Sequence, residues 1–206
     1  MTGPLLATLY IVRHGETDWN VKKIMQGHKG TELNEKGKIQ AQEIDAELKD
    51  IHFDAIFSSD LLRAKQTAEI MALERQMAVK TTELLRERRL GKFEGQPYDS
   101  MNELGVLLKK IKDLTPEEKS RFEEADVETS EEMIGRFIRF VREIAVAYAG
   151  KNVLVVSHGG MIRLLLLHLG YSEYITAGGF ANGGYLKLRS DGVDFFLDEV
   201  KGVVNG

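Results

Sequence analysis

Cysteine is absent from the chain, which excludes disulfides, thiolate nucleophiles and cysteine-held zinc. The absence fits a reducing compartment. Basic charge is not in excess either: the formal net charge is −4. Lysine and arginine are spread along the sequence, so no face is expected to bind nucleic acid by phosphate neutralisation. Long apolar runs are missing; the stretch Leu164-Leu-Leu-Leu167 is far shorter than a membrane span. The apolar N-terminus lacks a basic region and a small-residue cleavage site and runs straight into Arg13, so no signal peptide is expected. There are no internal repeats, and only 3 of 206 residues are proline. What remains is a chain 43% hydrophobic and 29% charged, suited to one soluble, cytoplasmic domain spanning residues 1–206.

Strand-like and helix-like segments alternate, which predicts an α/β fold with a largely parallel sheet. Strands are expected at 8–12, 54–57, 79–84 and 152–156, and a closing hairpin at 185–188 and 195–200 around Ser190-Asp-Gly192. A helix at 33–49 should carry Ile39, Ile44 and Leu48 on one side. A second, opened by the capping cluster Ser58-Ser-Asp60, should bury Leu61, Ala64, Ala68 and Met71. Thr129-Ser-Glu-Glu132 has capping-box form and starts an amphipathic helix. Met133, Phe137, Phe140, Val141, Ile144 and Tyr148 should face inward there, with Glu132/Arg136 and Arg139/Glu143 pairs outward. A last helix at 161–169 is stopped by Gly170. Residues 96–128 differ: they are charged, with helical patches at 101–111 and 117–125 and a hinge at Thr115-Pro116. They read as a helical insertion or lid over the site, which could also serve a homodimer interface.

Two strands end alike, in Ile11-Val-Arg-His-Gly15 and in Val155-Val-Ser-His-Gly159. Side by side and parallel, they would bring His14 and His158 to one crevice at the carboxyl edge of the sheet, where such folds hold ligands. The guanidinium of Arg13 is a fork matched to phosphate oxygens, and an imidazole beside it can attack phosphorus. Gly15 and Gly159 permit tight turns and close approach of backbone N–H groups to an anion. The final helix would aim its positive end there too. Arg63 sits in the first turn of its helix, where the dipole disfavours a cation. Either it pairs with Asp60 or it faces a phosphate dianion. The five histidines (His14, His28, His52, His158, His168) show no metal-ligand spacing, so no metal or other cofactor is implied.

These residues resemble the histidine phosphatase superfamily, which includes phosphoglycerate mutases. Arg13-His-Gly-Glu-Thr-Asp-Trp-Asn20 is similar to its signature, and Gln26-Gly27 and Leu33-Asn-Glu-Lys-Gly37 follow at family-like spacing. Ser58-Ser-Asp-Leu-Leu-Arg-Ala-Lys-Gln-Thr-Ala68 fits the second block, Glu87 to Glu94-Gly95 the third, and Ser157-His-Gly159 the last. The resemblance implies a three-layer α/β/α sandwich and a histidine acid-type phosphatase needing no metal. It makes His14 the nucleophile, with Arg13, Arg63 and a protonated His158 on the phosphate oxygens. Asn20, Gln26, Gly27 and the Gly159 N–H would assist. Glu87 would protonate the leaving oxygen and then activate water, its pKa raised beside the phosphate. On chemistry alone, Glu16 competes for that role.

Within the family, mutases carry Glu-Arg-His-Tyr-Gly in the third block, where this chain has Glu87-Arg-Arg-Leu-Gly91. Their later basic pair lies among Trp and Pro; Leu108-Lys-Lys-Ile-Lys112 does not. These departures point to hydrolysis of a small phosphate ester. Phosphoglycerate mutase activity and an inactive binding module are the alternatives. His14, Arg63 and Glu87 are all present, which disfavours the last.

Overall fold

The computed structural model describes residues 5–98, 115–117, 125–171 and 179–204. Six strands form one sheet: β1 (Ala7–Arg13), β2 (Ala55–Ser59), β3 (Val79–Thr82), β4 (Asn152–Ser157), β5 (Phe180–Ser190) and β6 (Phe195–Val203), in the order β3-β2-β4-β1-β5-β6. The first four are mutually parallel, and β5 and β6 close the sheet antiparallel. The central strands are buried on both faces, which is why they read as continuous apolar runs rather than alternating ones.

Successive residues of these strands face opposite cores. Leu9, Ile11, Val153 and Val155 pack against α4 (Ser130–Ala147) and α5 (Gly159–His168), through Met133, Phe137, Val141, Ile162 and Leu165. Tyr10, Val12, Leu154 and Val156 pack against α2 (Glu35–Glu47) and α3 (Leu62–Leu73), through Ile44, Ala64, Ala68 and Met71. The result is the expected three-layer sandwich. Fully burying one such side chain as Phe137 contributes about 2–3 kcal/mol, so each layer is held by its own apolar stripe. Among the described residues, no helix is long and apolar enough to cross a membrane.

The layering fixes the site. After β1 the chain crosses through α2 to β2, beyond β4; after β4 it crosses through α5 to β5, on the far side of β1. The two connections leave the carboxyl edge in opposite directions, and a crevice opens between them.

Several local expectations are corrected. Ile39 is 53% exposed, because the stripe of α2 runs Gly37-Ala41-Ile44-Leu48, and Ile39 falls between its turns. Asp60 does not cap α3; its carboxylate holds Arg86. The capping box at Thr129 forms, but it uses the Glu132 carboxylate on the Thr129 N–H, so Arg136 pairs with Glu128 instead. The third strand ends at Thr82 and gives way to a 3-10 turn, Glu83–Leu85.

Most of the expected insertion, including Lys109, Lys110 and Lys112, lies outside the described residues. Its borders are tied to the body. Ile24 bridges Pro97, and Ala125 and Val127 are buried with Met25 and Phe93.

Candidate active site

Each residue at the carboxyl edge is placed by strand register. Arg13 is paired with Ser157 across β1 and β4, so the next residues, His14 and His158, stand side by side. Their ring centroids are 5.2 Å apart, and the His14 N–H donates to the Ser157 carbonyl at 3.0 Å. Gly15 follows because a Cβ there would sit 2.2 Å from the Gly37 carbonyl oxygen; the strand end and α2 meet backbone to backbone. At Gly159 a Cβ would press on the Arg13 guanidinium, and at Gly160 on the Glu87 carboxylate.

His14 is 3% exposed, and its Nδ1 lies 2.7 Å from the Gly15 carbonyl. A carbonyl only accepts, so Nδ1 carries the proton and Nε2 the lone pair. That lone pair accepts from Arg63 Nε at 3.2 Å. Arg63 is itself only 1% exposed. Its other nitrogens donate to the carbonyls of Gly27 (2.9 Å) and Lys29 (3.0 Å). Asp60, paired with Arg86, is therefore not its partner. A positive φ of 49° at Gly27 lets the loop turn its carbonyl onto the guanidinium.

Burial, then the charges of Arg63 and Arg13, hold His14 well below the ordinary histidine value, in spite of its bond to Gly15. Burial and then Arg63 do the same to His158, whose two ring nitrogens have no partner among the described residues. Both rings are thus held toward the neutral form, and the protonated His158 expected above is a state of the phosphate-bound site. Burial also lowers Arg13 and pushes Arg63 down to about 10, still charged at neutral pH. Arg13 donates to the Phe180 carbonyl through Nη1, while its Nε has no partner among the described residues. Unpaired buried donors beside two guanidiniums make this crevice a seat for an anion.

The pH dependence follows in sign. The unfolded chain takes up protons on these histidines below their ordinary value of 6.5, and the folded chain refuses them. Their contribution is fully present above 6.5 and is lost as pH falls toward the folded values. Each ring can remove up to about 1.4 kcal/mol per pH unit. Urea unfolding without phosphate should show stability falling from pH 6.5 to 5, with the slope roughly halved in His158→Asn. An unchanged slope in that variant would contradict the assignment.

Glu87 reaches the same edge from the 3-10 turn after β3. Its Oε2 accepts from the Gly160 N–H at the start of α5 (3.0 Å), and its Oε1 from the Arg88 N–H (2.8 Å). The positive end of α5 thus holds Glu87. Glu16 is turned away: Lys36 and Asn34 bond its carboxylate and hold it below the usual range.

The remaining expected residues surround the crevice in other ways. Asn20 Oδ1 caps the Thr17 N–H at the start of the short helix α1 (Asp18–Val21), and Gln26 Oε1 accepts from the Thr31 hydroxyl. Gly27 presents its carbonyl to Arg63. His28 Nε2 bonds the Glu87 carbonyl, whereas His52 and His168 are exposed elsewhere. Tyr98 joins the rim, its hydroxyl raised by burial and lowered by Arg13. Asn182 was not foreseen. It donates to the His14 carbonyl at 2.9 Å from the first residues of β5. Only the antiparallel register brings it there, and no local motif announces that.

A profile described as the histidine phosphatase superfamily (branch 1) matches residues 9–198. The chain belongs to that superfamily. A broad-specificity phosphatase of Saccharomyces cerevisiae is 39% identical over 175 residues, covering 81% of this chain and 71% of that protein. A phosphoglycerate mutase from Bacillus anthracis superposes with a TM-score of 0.80 at 29% identity, covering 96% of this chain and 93% of the other. A mycobacterial glucosyl-3-phosphoglycerate phosphatase, solved with VO3, gives 0.77 at 26% identity, covering 96% and 99%.

Proposed function

We propose that this histidine phosphatase superfamily member is a phosphoric monoester hydrolase of the histidine acid type. It acts on a small phosphorylated metabolite without a metal, through a phosphohistidine at His14. The observation that carries this is the neutral, Nδ1-protonated His14, whose Nε2 lone pair faces a buried guanidinium.

Arg13, Arg63 and His158 hold the phosphoryl oxygens, and the site answers developing charge with fixed donors. His158 gains its proton or donates its existing N–H only when the anion arrives, since among the described residues its nitrogens lack partners. His14 Nε2 attacks phosphorus, the ester P–O bond breaks, and the leaving oxygen takes the Glu87 proton. Glu87, now a carboxylate, removes a proton from water. The hydroxide attacks phosphorus, the P–N bond breaks and inorganic phosphate leaves. Gln26 and Gly27 act mainly by fixing the loop that receives the Arg63 side chain from α3, and Asn20 by capping the turn after Glu16.

Hydrolysis is favoured over mutase activity by the third block. Where mutases place an aromatic, Leu90 packs against the Met25–Phe93 cluster. The name of the yeast relative agrees with hydrolysis; that of the Bacillus anthracis neighbour keeps the mutase reading in play. Phosphorus NMR separates them. With excess EDTA, 3-phosphoglycerate and a trace of 2,3-bisphosphoglycerate, the expected product is inorganic phosphate. A growing 2-phosphoglycerate signal without phosphate release would make the protein a mutase.

A further inference from the structure

Glu87 is held at its backbone as well as at its carboxylate. Its carbonyl accepts from Arg136 Nη2 at 3.0 Å and from His28 Nε2 at 2.9 Å. Arg136 lies on α4 and also donates through Nη1 to the Leu84 carbonyl, three residues before Glu87 (2.9 Å). The rest of its guanidinium forms a two-point pair with Glu128, Nε to Oε1 at 2.7 Å and Nη2 to Oε2 at 2.9 Å. Both side chains are largely buried. Burial alone would raise the Glu128 carboxyl, but Arg136, the Arg89 N–H and Arg88 together hold it below its ordinary value.

Glu128 in turn grips the residues that follow Glu87. Its Oε2 accepts from the Arg89 N–H (3.1 Å), its N–H donates to the Arg89 carbonyl (2.8 Å), and its own carbonyl accepts from Arg88 (2.7 Å). Arg88 also reaches Ser130 at the first turn of α4. The pair is therefore a clamp with one jaw on each side of Glu87. Among the described residues Arg136 bonds only Glu128 and the Leu84 and Glu87 carbonyls, and it reaches His158 through its charge alone. A buried ion pair is also a poor device for stability alone, because desolvation offsets most of its Coulombic gain. Its geometry is explained by what it holds still.

We propose that the Arg136–Glu128 pair is a positioning device that sets the Glu87 carboxyl for proton donation to the leaving group. The inference rests on the reading of Glu87 as the acid. Holding an acid in place matters only where the leaving oxygen needs a proton, and a small misplacement there is costly.

The test is a series of substituted phenyl phosphates. p-Nitrophenolate leaves readily without a proton; phenolate and p-methoxyphenolate do not. Arg136→Gln is expected to lower kcat for phenyl and p-methoxyphenyl phosphate about 30- to 100-fold. It should change p-nitrophenyl phosphate less than about threefold and leave KM within about twofold. Glu87→Gln should show the same dependence more steeply. Circular dichroism checks the fold. If Arg136→Gln does not fold, Glu128→Gln replaces it, keeping the side-chain shape while removing the charge. An equal loss on every ester in a folded Arg136 or Glu128 variant, with Glu87→Gln still selective, would overturn the positioning role alone. A flat response in Glu87→Gln would overturn the assignment of the acid itself.

Discussion

His14→Ala is expected to abolish turnover, with a loss of at least about 10⁴-fold in kcat on any phosphate ester. The size follows from what is removed. Arg13, Arg63 and His158 could still bind a phosphate, but in the proposed mechanism His158 serves the phosphoryl oxygens and only His14 attacks phosphorus. Glu87 is committed to the Gly160 and Arg88 N–H groups, and Glu16 to Lys36 and Asn34. Folding should survive. The side chain makes a bond to Gly15 and accepts one from Arg63, so its loss costs about 1–2 kcal/mol. Two readouts belong together. Wild type quenched during turnover should carry an acid-labile phosphoryl group on His14, and the variant none. Retained turnover in clean, folded His14→Ala would end the phosphohistidine mechanism.

The parts of this fold legible in the sequence were those with local or strictly periodic causes. β1 and β4 are buried on both faces, so each appears as an unbroken apolar run whose end is marked by polar residues and glycine. Once two such ends match, the juxtaposition of His14 and His158 follows from a parallel register, and Arg13 does pair with Ser157. The capping box at Thr129 was legible for the same local reason. What escaped was decided by competition between partners. Glu132 could bond Arg136 or its own cap, and the cap won, freeing Arg136 for Glu128. Asp60 could cap α3 or pair with Arg86, and a bidentate guanidinium won. Asn182 is invisible because Ala181-Asn-Gly-Gly184 has poor strand propensity and lies in an irregularity of β5, between the paired Phe180 and Tyr185.

Arg63→Met should separate stability from catalysis more sharply than any other change. Two opposing terms decide the stability. Its guanidinium is pushed down to about 10 by burial, so holding it charged costs on the order of 3 kcal/mol. Against this, removing it leaves the Gly27 and Lys29 carbonyls without a donor, at about 1–3 kcal/mol each. The terms nearly cancel, and the ligand-free variant should unfold within about 3 kcal/mol of wild type. Catalysis has no such offset. On the proposed mechanism the variant loses a cation that meets the phosphoryl oxygens, and kcat should fall at least 10²- to 10³-fold, as for a missing oxyanion donor. Lysine should not restore it, because one ammonium cannot hold two loop carbonyls and also meet His14 and an oxygen. The anion supplies the decisive control. Orthophosphate or vanadate should raise the melting temperature of wild type by mass action and leave that of Arg63→Met almost unmoved. A variant that still gains stability from vanadate, or keeps activity within tenfold, would show that Arg63 serves the loop and not the phosphate. If instead stability holds while binding and rate are lost together, the cost of burying that charge is recovered only when the dianion arrives.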